Sequence, residues 1–400
     1  MADTKDFDGP GLSAKPEPAP AEEFDVYAFW EDCRRDEPVK VIDAMGQDLY
    51  FVTRHQDVET VLRDAGRFSS RINADTMGPV MGTVILAMDG DEHRRYRNLV
   101  AGAFRPSALE RWGDGLIRPT IDRLIDELPA TGRADLVSQV TARYPVEVIG
   151  GVIGAPFDDH EEFHAWAQDI SLGPEDYARS IAAATALRAY LTPIVEDRKV
   201  HPRDDLISDI VTAQVEGARL DDEHIYGFLL LLLPAGAETT FRVMGNCLLA
   251  LLRQPDVLER VRADRTLLDP VIEETLRWET SVTMVNRETT VPVDLAGTSL
   301  PAGVSVVCAT GSANRDERRY VDGARWDIDR ESPPHLAFGT GRHQCLGMHL
   351  ARLELRIGLD ALLERLPGLR LDPDAEPVEV EGMAFRSPPR LPVLFDEIRR

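Results

Sequence analysis

The sequence predicts a mainly α protein with small β-sheets, built as one large domain, and three observations carry that prediction. A helical period of 3.6 dominates from residue 91 to about residue 263. Between Val282 and Ala309 the texture switches to β-branched runs (TTVPVDLAGTSLPAGVSVV) suited to a small sheet, and residues 345–366 return to the helical period. No internal repeat and no linker follows the N-terminal stretch, so the 400 residues divide into a leader, 1–24, and a single unit, 25–400.

The leader (MADTKDFDGPGLSAKPEPAPAEE and the residue after it) holds Pro, Ala and acids without an apolar run of signal-peptide length, which predicts a disordered segment on a cytoplasmic protein. Residues 39–43 (VKVID) and 49–53 (LYFVT) flank Met45-Gly46-Gln47-Asp48 and predict a hairpin. A short helix is expected over 55–64. Residues 69–88, rich in Gly, Met, Asn and Thr without a sustained period, predict a long loop able to line a pocket. Within the helical region, Pro106, Pro156, Pro174 and Pro202 mark breaks. The longest apolar stretch, residues 225–237 (IYGFLLLLLPAGA), is thirteen residues long, whereas a bilayer needs about 20. It predicts a buried core helix and no membrane partner.

Composition narrows function by exclusion. Asp and Glu number 69 against 45 Lys and Arg, a formal net charge of −24, which argues against a nucleic-acid binder that gains affinity by neutralising phosphates. With 43% hydrophobic residues the chain can bury a sizeable core. Cys33, Cys247, Cys308 and Cys345 lie far apart with no CxxC, so a disulfide scaffold is not expected and a reducing compartment fits.

Chemistry concentrates at residues 338–347, FGTGRHQCLG, where one cysteine is framed by Gly339, Gly341 and Gly347 at the mouth of a predicted helix. Glycines let the backbone turn sharply and aim amides at sulfur, and a helix N-terminus favours a thiolate. That is a way to hold a thiolate as a metal ligand; the alternative is a glycine-rich turn around a structural cysteine. Phe338 beside the sulfur would shield it. Two other spacings suggest metals. His160-Glu-Glu-Phe-His164 fits HExxH, a zinc pattern with Glu161 as base, but its third ligand is missing, Glu196 being only a loose candidate, and Phe163 and Trp166 at core spacing favour an amphipathic helix. His343, Cys345 and His349 lack a fourth ligand for structural zinc.

The segment 338–347 resembles the cysteine-ligand loop of the cytochrome P-450 family, FxxGxHxCxG, with every fixed position filled, and the resemblance extends over nearly the whole chain from about residue 25. It implies the cytochrome P-450 fold, a haem b (iron protoporphyrin IX) cofactor and Cys345 as axial ligand of the iron, with Phe338 beside it. Ala235-Gly-Ala-Glu-Thr-Thr240 resembles the AGxET stretch of the helix that crosses the haem. There Gly236 would allow close approach to the macrocycle, Thr239 would hold a proton-bearing water and Glu238 would relay protons. The competing reading is an ordinary helix in which Thr239 bonds back to a carbonyl. Pro234 departs from the commoner pattern and removes a helix hydrogen bond one turn earlier.

Glu274 and Arg277 are similar to the family's ExxR pair, and Arg330 falls where a third member stands, with Trp326 in place of the usual Phe and Glu317 where Pro is commoner. The resemblance gives these three a structural role. His93, Arg97, Arg287 and His343 match positions that hold the haem propionates, with His335 as a fifth candidate. For any one of them the alternative is an ion pair with a neighbour such as Asp91 or Glu288.

The implied reaction is monooxygenation, one atom of O2 entering an apolar small organic substrate and the other leaving as water, with a thiolate that favours O–O cleavage. Electrons would come from a separate ferredoxin or flavodoxin with its reductase, because 25–400 leaves no room for a flavin domain. The alternatives are a peroxide-driven peroxygenase of the same fold and a haem-binding sensor or carrier without turnover; retention of Glu238 and Thr239 argues against the first. Candidate pocket walls are residues 77–86, Phe228, Leu231, Ala235, 282–285 and 383–385. Arg94, Arg95, Arg342 and Arg352 are candidates for a basic patch that an acidic electron donor would need.

Overall fold

Residues 228–233 read FLLLLL, and a helix that is apolar all round must be buried. The computed structural model describes residues 24–400, apart from 45, 156–159, 215–216, 218 and 332–333. It places the leucine run in the helix Asp222–Leu252, 31 residues long and the longest described, capped by Asp221, whose carboxylate accepts from the His224 amide at 2.9 Å. Each fully buried leucine there, Leu229 or Leu233 for example, contributes about 1.5–3 kcal/mol. By length and composition this is also the one described helix able to cross a membrane, yet 72% of its most apolar window is buried inside the fold. The helices Tyr144–Ile153, His160–Leu172, Leu268–Trp278 and Met348–Arg365 pack around it. The leader up to residue 23 lies outside the described residues.

The main sheet has five strands in the order Val39–Ala44, Gln47–Val52, Ser305–Cys308, Val285–Thr289, Phe68–Ser69. Gln47–Val52 runs parallel to Ser305–Cys308 and the other pairings are antiparallel. The expected hairpin forms, Ala44 facing Gln47, with Gly46 at φ +85° and its amide bound by the Asp43 carboxylate at 2.9 Å. In the 289–307 region Val293–Leu295 pairs with Thr298–Leu300 across Ala296 and Gly297, both at positive φ, as a tight two-residue hairpin turn requires. A smaller sheet joins Arg133–Asp135, Pro392–Leu394 and Arg370–Leu371.

Residues 69–88 depart from expectation. Instead of a long loop they form the helix Asn73–Met81 and a short turn, Ile85–Ala87. Gly78 and Pro79 hide the helix from any propensity argument, and tertiary contacts supply what propensity lacks. Asn73 donates to the Ser70 and Leu86 carbonyls, both at 3.0 Å, Val80 and Met81 are buried, and the helix lies against Tyr177–Val200.

In His160–Leu172, Phe163 is buried and meets Trp166 and Tyr190 at ring separations of 5.4 and 5.7 Å, as an amphipathic helix should. The side chains of His160 and Glu161 lie outside the described set, and Glu196 is paired with Lys199.

Candidate active site

The cysteine loop is closed by backbone geometry. The Cys345 amide donates to the Phe338 carbonyl at 2.8 Å, Gly339 and Gly341 sit at φ +63° and +74°, and a Cβ on Gly341 would come within 2.7 Å of the Leu62 carbonyl oxygen. Just beyond, Gly347 begins the helix Met348–Arg365. Burial pushes the Cys345 thiol above its ordinary value, opposed by the Gly347 and Met348 amides and by the guanidinium groups of Arg97 and Arg352. Cys345 is nonetheless exposed, while Cys33, Cys247 and Cys308 are buried. Closely surrounded yet open, its sulfur sits in a recess with amides aimed at it, a setting that suits a thiolate bound to a metal.

The central helix is open on one stripe. Residues 225–234 are buried, whereas Ala235 is exposed and Gly236 and Thr239 are half-buried. A methyl on Gly236 would press to 3.2 Å on the Ile149 side chain, so the missing Cβ serves the crossing with Tyr144–Ile153, and Ala235 and Thr239 form the open surface. The Thr239 hydroxyl donates to the Ala235 carbonyl at 2.8 Å, the back-bonded arrangement, which leaves its oxygen lone pairs free to accept. Glu238 is buried and one carboxylate oxygen, Oε2, lies 3.2 Å from Arg242 Nη2, while Oε1 has no partner among the described residues. Burial raises its pKa and Arg242 opposes the rise.

The cations of the sequence reading converge. His93 and His343 stack at 4.0 Å, and Arg97 donates to the Gln344 carbonyl at 2.7 Å, which seats the helix Gly90–Val100 against the cysteine loop. Burial holds His93 down at about 4, helped by Arg97, and His343 at about 3, helped by His93 and Arg287. Burial likewise lowers Arg287 and Arg97. The buried Nε2 atoms of both histidines have no hydrogen-bond partner among the described residues. Asp89, which sequence reasoning missed, faces His343 at 3.8 Å but also accepts from the Ser69 hydroxyl at 2.5 Å. Unpaired donors beside two desolvated guanidinium groups form a site short of anions, and a group carrying two carboxylates fits it. With the thiolate recess and the apolar open stripe, the residues present fit haem.

Two candidates lie elsewhere. His335 meets Glu273 at 3.3 Å, and Arg352 binds the same carboxylate at 2.6 and 2.8 Å while stacking on Phe338 at 4.5 Å. Burial alone would raise Glu273, but Arg352 and His335 bring it to about 2. His335 is therefore tied behind the cysteine loop, and Arg352 is committed to an internal pair.

Glu274 and Arg277, both buried, and half-buried Arg330 come together as one cluster. Arg330 Nε reaches Glu274 Oε1 at 3.1 Å, and Arg277 also donates to the carbonyls of Asn314 and Gly323, each at 2.8 Å. Trp326 fills its position by donating its indole N–H to the Thr275 hydroxyl at 2.9 Å.

The chain is similar to known proteins over most of its length. The sequence profile of the family described as Cytochrome P450 matches residues 27–392. Cytochrome P450 107B1 of Saccharopolyspora erythraea is 36% identical over 84% of this chain and 87% of its own. Cytochrome P450 monooxygenase PikC of Streptomyces venezuelae is 36% identical over 87% and 85%. Among solved structures, ligand-free cytochrome P450 TbtJ1 superposes with a TM-score of 0.85 at 37% identity, covering 92% of this chain and 97% of that one. A P450 from Bacillus megaterium in complex with testosterone gives 0.85 at 33%, over 93% and 100%. With a family profile spanning nearly all of the described residues and relatives 36% identical over more than four fifths of its length, this chain belongs to the cytochrome P450 family.

Proposed function

We propose that this cytochrome P450 monooxygenase places one oxygen atom from O2 into an apolar, medium-sized organic substrate, with Cys345 as the thiolate ligand and electrons from a separate ferredoxin or flavodoxin and its reductase. The observation that carries the residue assignment is the recess at Cys345 with the Gly347 and Met348 amides turned toward the sulfur. Bound haem supplies the oxygen-activating chemistry. His93, Arg97, Arg287 and His343 would hold its carboxylates, giving the two orphaned imidazole nitrogens their partners. Thr239, once its hydroxyl turns from the Ala235 carbonyl, can donate into the open stripe, and Glu238 can take a proton at its unpartnered Oε1 and hand it inward.

An apolar substrate follows from the exposed side chains that remain. Met383 and Phe385 are 54% and 44% exposed on a segment that meets the central helix at Arg242, whose guanidinium lies 5.7 Å from the Phe385 ring. Phe228 does not join this wall; it is buried against Tyr96 and Phe104 at 6.2 and 6.3 Å. A soluble, cytoplasmic location accords with the buried central helix and free thiols. The test is a screen of apolar ligands for a Soret shift, followed by turnover with NAD(P)H, reductase and donor. Oxygenated product under those conditions supports the proposal. Product only with added peroxide would establish the peroxygenase reading, and no product by either route a carrier.

A further inference from the structure

The C-terminal segment around residues 381–387 is fixed to the core on one side and bare on the other. Thr283 binds it twice, its amide to the Ala384 carbonyl at 3.0 Å and its hydroxyl to the Met383 carbonyl at 2.5 Å. Arg386 reaches Glu279 at 2.7 Å, and a Cβ on Gly382, at φ +95°, would stand 2.1 Å from the Phe385 carbonyl oxygen, so the turn tolerates only glycine. Met383 and Phe385 project from this segment, exposed. Its inner end meets the central helix, where Ser387 Oγ accepts from Arg242 Nη1 at 3.1 Å and the Arg242 guanidinium lies 5.7 Å from the Phe385 ring. The other arm of the same guanidinium holds Glu238, and this contact is single: Arg242 Nε and Glu238 Oε1 are both buried and unpartnered.

From this geometry we infer that Arg242 is a positioning residue which, aligned by Ser387, holds the Glu238 carboxylate ionised with Oε1 free, and so ties the proton-handling acid to the seating of the apolar segment that meets substrate. A guanidinium is a planar fork whose two arms cannot turn independently. A shift at Ser387 therefore moves the arm on Glu238. With Arg242 in place, Oε1 takes a proton from the solvent side and releases it inward, and the carboxylate is regenerated beside a fixed positive charge. Without it, a buried carboxyl keeps its proton and passes it on slowly. The inference rests on Glu238 being the proton donor.

The test uses ferric holoprotein and needs no organic substrate. In infrared spectra near neutral pH, Arg242→Gln should show an added protonated-carboxyl C=O band that Arg242→Gln combined with Glu238→Gln lacks. During NADH-driven O2 consumption with reductase and donor, Arg242→Gln should raise the ratio of peroxide to water formed from O2 by about tenfold, the size of one lost charge-assisted hydrogen bond. Arg242→Lys should recover part of this. Ser387→Ala should move peroxide the same way by a smaller factor and add nothing in the Arg242→Gln background. Glu238→Gln separates the two ideas. If it raises peroxide while Arg242→Gln and Ser387→Ala do not, the inference is overturned and the donor reading stands; if it changes nothing, the donor reading itself fails. Should Arg242→Gln not take up haem, Ser387→Ala decides alone: a rise in peroxide supports the coupling and wild-type partition overturns it.

Discussion

Arg277 grips Glu274 with both arms of the side chain, Nη2 to Oε1 at 2.6 Å and Nε to Oε2 at 2.7 Å, with the guanidinium only 1% exposed. The pair is the hub behind the cysteine loop, since Glu274 Oε1 also receives the Asp327 amide at 3.0 Å and Arg330. Arg277→Lys keeps the charge and loses the fork, leaving a buried carboxylate half-satisfied, and removing a partner from such a pair costs about 3–5 kcal/mol. The expected outcome is loss of folded holoprotein, read as haem per polypeptide and as a lowered melting temperature.

This cluster was legible because its motif is local: Glu274 and Arg277 lie one helical turn apart, and the cysteine loop is ten consecutive residues. The hairpin and the central helix were legible for the same reason, from turn chemistry and an unbroken leucine run. What escaped depends on side chains that meet across long separations. Arg352 and Glu273 are 79 positions apart and Arg242 and Ser387 are 145, and no periodicity announces either pair. Asn73–Met81 escaped because packing overrode a sequence holding Gly78 and Pro79. The packing of Gly236 on Ile149 escaped as well, the two lying on separate helices.

The cationic cluster predicts how firmly haem is held. Arg97→Gln removes one cation and the link to the Gln344 carbonyl. Haem transfer to an acceptor apoprotein should speed up by roughly tenfold, as expected for one charge-assisted hydrogen bond. An unchanged transfer rate would remove Arg97 from the propionate set.

Glu354 is buried, its Oε2 has no partner among the described residues, and burial raises its pKa well above the ordinary carboxylate value. Such a group stays protonated in the folded protein while the unfolded chain releases its proton. Its contribution is full below the unfolded value, about 4.3, and is lost as pH rises toward the folded one. Glu354→Gln should therefore flatten the fall of melting temperature as pH rises above about 4.3. A parallel decline in both proteins would contradict the assignment.

Electron transfer offers a surface test. Arg94 is paired with Asp91 at 3.1 Å and Arg352 with Glu273, whereas Arg95 and Arg342 are exposed and form no ion pair among the described residues. If an acidic donor docks there, Arg95→Glu or Arg342→Glu should slow its reduction of the enzyme more at low salt than at high salt. Stopped-flow rates insensitive to both salt and charge would place the docking site elsewhere.

The central claim is that Cys345, alone of the four cysteines, ligates the haem iron, and the spectrum of the reduced carbon-monoxide complex tests it most directly. Wild-type protein should give the long-wavelength Soret band for which the family is named. Replacing buried Cys33, Cys247 or Cys308 should leave that band in place, and Cys345→Ala should abolish it. Its persistence in Cys345→Ala would contradict the account.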